Sequence, residues 1–182
     1  PIRHPSWSTT VFKRLILTAV ALALLVPSAV QAQTTMMQSI KNLNDGVVGY
    51  LMSTARMVDA DLYDYRPTEE VRSMGEILGH LANAQYMFCA AVAGEDSPNA
   101  QNWEESASDK DAIVAALVDA FAYCEGVYSR TTDAMATREM NFFGQPNTVA
   151  GVLAFNTGHN YEHYGNLVTY MRINGITPPS SM

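Results

Sequence analysis

The stretch NTVAGVLAFNTGHNYEHYGNLVTYMRING, residues 147–175, has the pattern of one long helix with both ends marked. At its start, Asn147 or Thr148 can accept a hydrogen bond from the free amides of the first turn. At its end, Gly175 supplies a left-handed stop, and the Pro-Pro pair that follows prevents the helix from continuing. The segment therefore predicts a long fourth helix.

Three more helical stretches precede it along the chain. Their apolar side chains recur at three- and four-residue steps, and they cover about residues 36–58, 73–93 and 108–135. The second begins with a capping box, in which Ser73 is the cap and Glu76 reaches back to it, and Gly94 ends it. Ser108 is the predicted cap of the third helix.

The segments between these helices are predicted to be loops. Residues 59–72 and 95–107 are polar, and residues 141–147 contain Gly144 and Pro146, which favour a turn. Runs of alternating Val, Thr and aromatic residues are missing, so the sequence predicts no sheet. We expect an all-α fold, a four-helix bundle.

Residues 1–32 have the composition of a secretory signal peptide. Basic residues come first, a 12-residue apolar run at 15–26 follows, and small residues precede Gln33. The alternative is a membrane anchor, but 12 helical residues rise only about 18 Å, against a hydrocarbon core of about 30 Å. We therefore predict cleavage after Ala32, a mature domain at residues 33–182, and a periplasmic or secreted location with no membrane attachment after cleavage.

The charge of the predicted mature domain excludes one class of partner. The chain has 11 basic and 18 acidic residues, and residues 1–32 contain three of the basic and none of the acidic ones. Residues 33–182 therefore carry eight basic and 18 acidic residues, a formal net charge of −10. Such a domain repels nucleic acid and anionic lipid, so we expect no nucleic-acid partner.

The mature domain has three histidines, His80, His159 and His163. The last two are four residues apart, one turn above each other on the same helical face. If helices two and four are antiparallel, with Gly94 level with Thr148, His80 lies level with residue 162. Three imidazoles at one depth with an open fourth position predict a site for one divalent transition-metal ion.

Two other interpretations of the histidines compete with this one. They could be ordinary core residues, or HNYEH at residues 159–163 could be the H-x-x-E-H pattern of an inverted zinc peptidase. Such a peptidase needs a further acidic ligand downstream, and none of the 19 residues after His163 is acidic. We therefore favour the three-histidine site.

Three stretches together resemble a known family. They are SMGEILGHL at residues 73–81, HNYEHYGNL at residues 159–167 and YMRINGITPP at residues 170–179. They are similar to the conserved segments of DinB-like metal-binding bundles, and the similarity extends over about residues 36–181.

The resemblance implies an up-down-down-up bundle with zinc, nickel or a similar ion on His80, His159 and His163. Some DinB-like proteins are thiol-dependent S-transferases or isomerases, in which a metal-bound thiolate of a small cofactor is the nucleophile. This chain differs from those members because it is predicted to be exported. The thiol-transferase members resemble cytosolic enzymes, which use thiols of the cytosol.

Several polar residues near the histidines could orient the imidazoles. They are Glu76, which is also the predicted capping-box partner, Asn83 and Asn156. The side chain of Glu162 points about 100° away from that of His163 around the helix. We therefore expect Glu162 to lie at the surface or to contact a ligand histidine from behind, and not to act as a catalytic base.

Cys89 and Cys124 each lie 15 residues beyond the first residues of their helices, Met74 and Asp109. If helices two and three run parallel, the cysteines are level and an exported protein can bridge them. Two buried free thiols are the alternative. A parallel pair also requires the connection at 95–108 to return along the bundle, which 14 residues can do.

Three functions remain open at this stage. The first is a metal-dependent enzyme that activates water or a thiol for hydrolysis or group transfer on a small molecule. The second is a non-catalytic protein that binds a metal or small ligand, and the third is a structural bundle whose histidines only pack. The sequence also leaves a homodimer open.

Overall fold

The structure, a computed structural model, describes residues Thr34–Met182, which form one compact unit. The predicted signal peptide at residues 1–32 lies outside the described residues.

Four long helices make up the unit: α1 (Met36–Met57), α2 (Met74–Ala93), α3 (Lys110–Arg130) and α5 (Val149–Ile173). The smaller elements are helix α4 (Asp133–Ala136), strands β1 (Glu139–Phe142) and β2 (Gln145–Thr148), and 3-10 helices at Ala60–Asp64, Trp103–Ser106 and Pro179–Ser181. The predicted all-α bundle is confirmed.

The predicted capping residues cap their helices, except at the start of α3. The Ser73–Glu76 capping box is present, and Thr148 caps α5 through the amide of Gly151. The cap of α3, however, is Asp109, which accepts from the amide of Ala112, whereas the predicted cap Ser108 donates to Asp64. Both residues can cap a helix, and the tertiary contact of Ser108 decides between them.

Two local predictions between α3 and α5 were wrong. The third helix ends at Arg130 because Thr131 turns its hydroxyl to the carbonyl of Val127 and adopts an extended backbone. The absence of a sheet was also wrong, since β1 and β2 form a hairpin closed by Phe143 and Gly144, both at positive φ. Four-residue strands are too short for an alternating pattern to be recognised.

The helices run up, down, down and up. α1 and α3 are antiparallel, since Lys41 contacts Glu125 near one end while Lys110 donates to the carbonyl of Arg56 near the other. α1 and α5 are parallel, since Asn44 contacts Asn160 and, further along both helices, Thr54 contacts Met171. The predicted topology is confirmed.

Helices α2 and α3 are therefore parallel neighbours, and a disulfide joins them at equal depth. Cys89 and Cys124 are bridged with their Cα atoms 5.4 Å apart. Both cysteines are buried. The ring of Tyr86, one turn before Cys89, lies 5.6 Å from that of Tyr123, which is adjacent to Cys124. The connection from Gly94 to Asp109 returns along the length of α2, as the parallel arrangement requires.

Candidate metal centre

His80, His159 and His163 meet between α2 and α5. Nε2 of His159 lies 3.1 Å from Nε2 of His80 and 3.1 Å from Nε2 of His163. One nitrogen of each ring lies within 4.8 Å of the others. Nitrogens bound to one tetrahedral zinc ion are roughly 3.3–3.4 Å apart, given bonds of about 2.0–2.1 Å. The donor set and its spacing therefore fit a divalent metal ion, and the three histidines could hold one.

A buried amide cluster fixes the register that brings these rings together. The side chain of Gln85 on α2 exchanges hydrogen bonds of 3.1 and 3.0 Å with Asn156 on α5. Gln85 also donates to Asn160 at 2.7 Å, and Asn160 donates to Asn44 on α1 at 2.9 Å. All four amides are buried. A slip of one turn would leave them unpaired in the core, which is costly, so the cluster specifies one register.

The environment keeps two of the histidines neutral. Burial, followed by the neighbouring His163 and His80, lowers the pKa of His159 to about 4. Burial, followed by His80 and Arg72, lowers the pKa of His163 to about 4. A metal ion binds the neutral imidazole, so both rings are in the ligating form at neutral pH without losing a proton.

Glu104 is the site residue that the sequence did not reveal. Its Oε2 lies 3.2 Å from Nδ1 of His80, and its Oε1 accepts a 2.6 Å hydrogen bond from Nε of Arg72. A carboxylate on the second nitrogen of a ligand imidazole fixes its tautomer and raises its basicity. Glu104 belongs to an acidic connection without periodicity, so no pattern distinguished it from its neighbours.

Two glycines of α2 allow the connection to approach closely enough for this contact. A Cβ on Gly79 would lie 2.5 Å from the carbonyl oxygen of Trp103 and 2.9 Å from Cα of Glu104. A Cβ on Gly75 would overlap the backbone of Ala107. This i, i+4 glycine pair was the one feature of the sequence that could have indicated a close approach here.

The polar residues predicted to orient the ligands have other roles. Glu76 completes the capping box and pairs with Arg66 at 2.9 Å. Asn156 belongs to the buried amide cluster. Asn83 acts indirectly, because its Oδ1 accepts from the amide of Trp103 at 3.0 Å and so holds the segment that carries Glu104.

The three histidines differ in what contacts their second ring nitrogen. Nδ1 of His80 has Glu104, whereas Nδ1 of His159 and of His163 are buried with no hydrogen-bond partner among the described residues. The ring of His159 instead packs edge-on against Phe88, with centroids 5.4 Å apart. Aromatic packing therefore takes part in orienting that ring.

The site opens into a polar cleft of about 560 Å³. His163 and Glu104 border it on the side of the triad, and Glu162 and Asn166 lie along α5. Arg66 and Arg72 line it together with Glu69, Glu70 and Glu76. The cleft therefore meets the triad at His163.

Known proteins share this fold. YjoA of Bacillus subtilis strain 168 is 25% identical over 127 residues, which covers 68% of this chain and 80% of YjoA. The crystal structure of that DinB-like protein matches with a TM-score of 0.62 at 21% identity, covering 76% of this chain and 93% of that one. A DinB-like protein from Bacillus cereus matches with a TM-score of 0.63 at 17% identity, covering 73% and 89%.

A family model also matches the sequence itself. The model describes the DinB superfamily and matches residues 49–167, more than half of the chain. The matched range contains all three histidines and Glu104. This chain belongs to the DinB superfamily.

Proposed function

We propose that the protein binds one divalent transition-metal ion, zinc or nickel, on His80, His159 and His163, and acts on a small molecule as a metal-dependent hydrolase or group-transfer enzyme. The observation that carries the proposal is the meeting of one ring nitrogen from each histidine, within 4.8 Å of one another, beside an open cleft. Three nitrogen ligands with an accessible further position are the arrangement of catalytic zinc sites.

The chain supplies groups that suit such chemistry. A divalent ion at this position supplies Lewis acidity, which activates a bound water or thiol. Glu104 orients His80 through its Oε2, and the exposed carboxylate of Glu162 lines the cleft together with His163. Arg72 uses Nε for Glu104, which leaves its two terminal nitrogens to hold an anionic group of a substrate.

A second candidate, a non-catalytic metal-binding protein, is favoured by one feature. Of the three histidines, His80 alone has a hydrogen-bond partner for its second ring nitrogen among the residues that the structure describes. Each such hydrogen-bond partner typically raises metal affinity 10- to 100-fold. A site in which one of three ligand histidines has a partner therefore favours an exchangeable ion. A protein that carries or buffers metal outside the cytoplasm would have such a site.

We also propose that the chain is exported and acts in the periplasm or outside the cell. The order of basic, apolar and small residues over 1–32 supports export. The bridge between Cys89 and Cys124 agrees with it, because structural disulfides persist mainly in oxidising compartments.

Elemental analysis of the mature protein, purified without a His-tag or chelator, tests the metal site. We expect about one first-row divalent ion per chain, and loss of the ion in His159→Ala. The matched control is Thr169→Ala on the same helix, an exposed residue whose hydroxyl donates to the carbonyl of Gly165. Equal metal content in wild type and His159→Ala would contradict the proposal.

Activity then separates the enzyme from the binding protein. The zinc- and nickel-loaded proteins are screened against ester, amide and phosphoester substrates, and against electrophiles in the presence of small thiols. Turnover that disappears in His159→Ala and survives in Thr169→Ala supports the enzyme. Stoichiometric metal without turnover in the screen supports the binding protein.

A further inference from the structure

Aromatic side chains adjoin the triad at His159. Four phenylalanines, Phe88, Phe142, Phe143 and Phe155, form a connected group that we call the phenylalanine wall. The rings of Phe88, Phe142 and Phe155 lie 5.5–5.6 Å from one another, and Phe143 lies 4.2 Å from Phe142. These spacings are within the range of favourable aromatic pairs.

The wall contacts the candidate metal ligand directly. The ring of Phe155 is stacked on that of His159, with centroids 6.4 Å apart and planes inclined by 22°. Phe155 and His159 are one helical turn apart on α5, so the wall begins where the triad ends. A molecule with one end at the triad can therefore lay its other end along the wall.

Two members of the wall leave much of their apolar surface in water. Phe143 is 68% exposed and Phe155 is 48% exposed, whereas Phe88 and Phe142 beneath them are buried. Exposed apolar surface that adjoins a polar site is typical of a ligand-binding surface.

The backbone of Phe143 adds a second, independent observation. Its φ is +52°, in a two-residue hairpin turn where Asn, Asp or Gly is strongly preferred. A bulky side chain at this position disfavours the fold and gains little burial. Residues held in sparsely populated backbone conformations cluster at active sites and ligand-binding surfaces.

We propose that the phenylalanine wall binds the apolar part, an aromatic ring or aliphatic chain, of a substrate whose polar head group binds at the His80, His159 and His163 site. This inference rests on the proposed metal site and names the class of small molecule that it accepts. The polar cleft at His163 and the wall at His159 together select an amphipathic molecule. Phe143 and Phe155 are then residues that determine specificity.

Two hydroxamates test the proposal, because both carry the same metal-binding head group and differ in the apolar part. Binding of acetohydroxamate and benzohydroxamate to the zinc-loaded mature protein is measured by calorimetry. We expect Phe155→Ala and Phe143→Asn to lower the preference for benzohydroxamate by about 3- to 10-fold, the size of one aromatic contact. Val118→Ala, at an exposed apolar residue of α3, is the control and leaves the preference unchanged.

Phe143→Asn carries an internal check on folding. Asparagine is favoured at a positive φ in this turn, so the melting temperature should rise or stay the same while the preference falls. A fall in both would attribute the lost preference to unfolding and overturn the role of Phe143.

The remaining outcomes distinguish the wall from the metal site. Equal preference in wild type and both phenylalanine variants overturns the wall and leaves the metal site intact. Binding of neither hydroxamate, with no zinc retained, overturns both. If Phe143→Asn changes the oligomeric state and not the preference, the wall is a contact with a second copy of the chain and the proposal is wrong.

Discussion

Glu104 Oε2 lies 3.2 Å from Nδ1 of His80, so a residue of the returning connection orients a candidate ligand on α2. Arg72 holds the other oxygen of the same carboxylate at 2.6 Å. The connection between α2 and α3 is therefore part of the site as well as a link between helices.

Replacing Glu104 with Gln should weaken metal binding. The amide keeps the size of the side chain but removes the charge that raises the basicity of His80, and contacts of this kind contribute 10- to 100-fold in affinity. Competition with a chromophoric chelator measures the dissociation constant. Glu105→Gln, at the adjacent carboxylate that contacts Asn102, should bind metal as wild type does, and equal affinities in both variants would show that the Glu104 contact contributes nothing.

Gly79→Ala should destabilise the bundle by about 1–3 kcal/mol, because the added methyl group overlaps the backbone of Trp103 and Glu104. Gly49→Ala is the matched control, since a Cβ there meets no atom within 4 Å and α1 gains helix propensity. That variant should be more stable than wild type by up to about 1 kcal/mol. Urea unfolding measures both, and a stable Gly79→Ala would mean that the connection can move away at little cost.

Reduction of the disulfide should lower the free energy of unfolding by about 2–4 kcal/mol. The bridge joins Cys89 to Cys124 over a sequence separation of 35, and the closed loop restricts the unfolded chain. The measurement is guanidinium unfolding with and without reductant, with a double Cys→Ala variant as the control. If reductant shifts the midpoint of the double variant equally, the effect belongs to the reductant and not to the bridge.

The metal-free protein should lose stability as the pH falls from about 6.5 to about 4. The pKa of His159 and of His163 is lowered from 6.5 to about 4 in the fold, mainly by burial. Between these values the unfolded chain binds more protons than the folded one, so acid favours unfolding in this window. Above pH 6.5 these two groups contribute no pH dependence.

Urea midpoints at pH 7.5 and pH 5, both with chelator present, measure this loss. In a double variant with Gln in place of both His159 and His163, the difference between the two midpoints should shrink. An undiminished difference would assign the pH dependence to other groups.

The register of the histidines could be predicted because helices advance by a constant rise. Counting back from Gly94 and forward from Thr148 placed His80 level with residue 162, and the structure places its ring against His159 and His163. The same regularity placed Cys89 level with Cys124. Such counting works wherever two ligands belong to long periodic elements.

Glu104 and the hairpin could not be predicted in this way. The position of Glu104 depends on Gly75, Gly79 and Asn83, which admit and hold a segment with no period of its own. The hairpin depends on Phe143 at a positive φ, where turn preferences indicate a different residue. In both places tertiary contacts override the local pattern.

The bridge between Cys89 and Cys124 encloses the whole returning connection, including Glu104, within a covalent ring. A protease that cuts this exposed segment once produces two polypeptides that stay attached to each other through the sulfur atoms. The nicked molecule keeps His80 on one polypeptide and His159 and His163 on the other. Only reduction of the bridge would let the two halves of the histidine set diffuse apart.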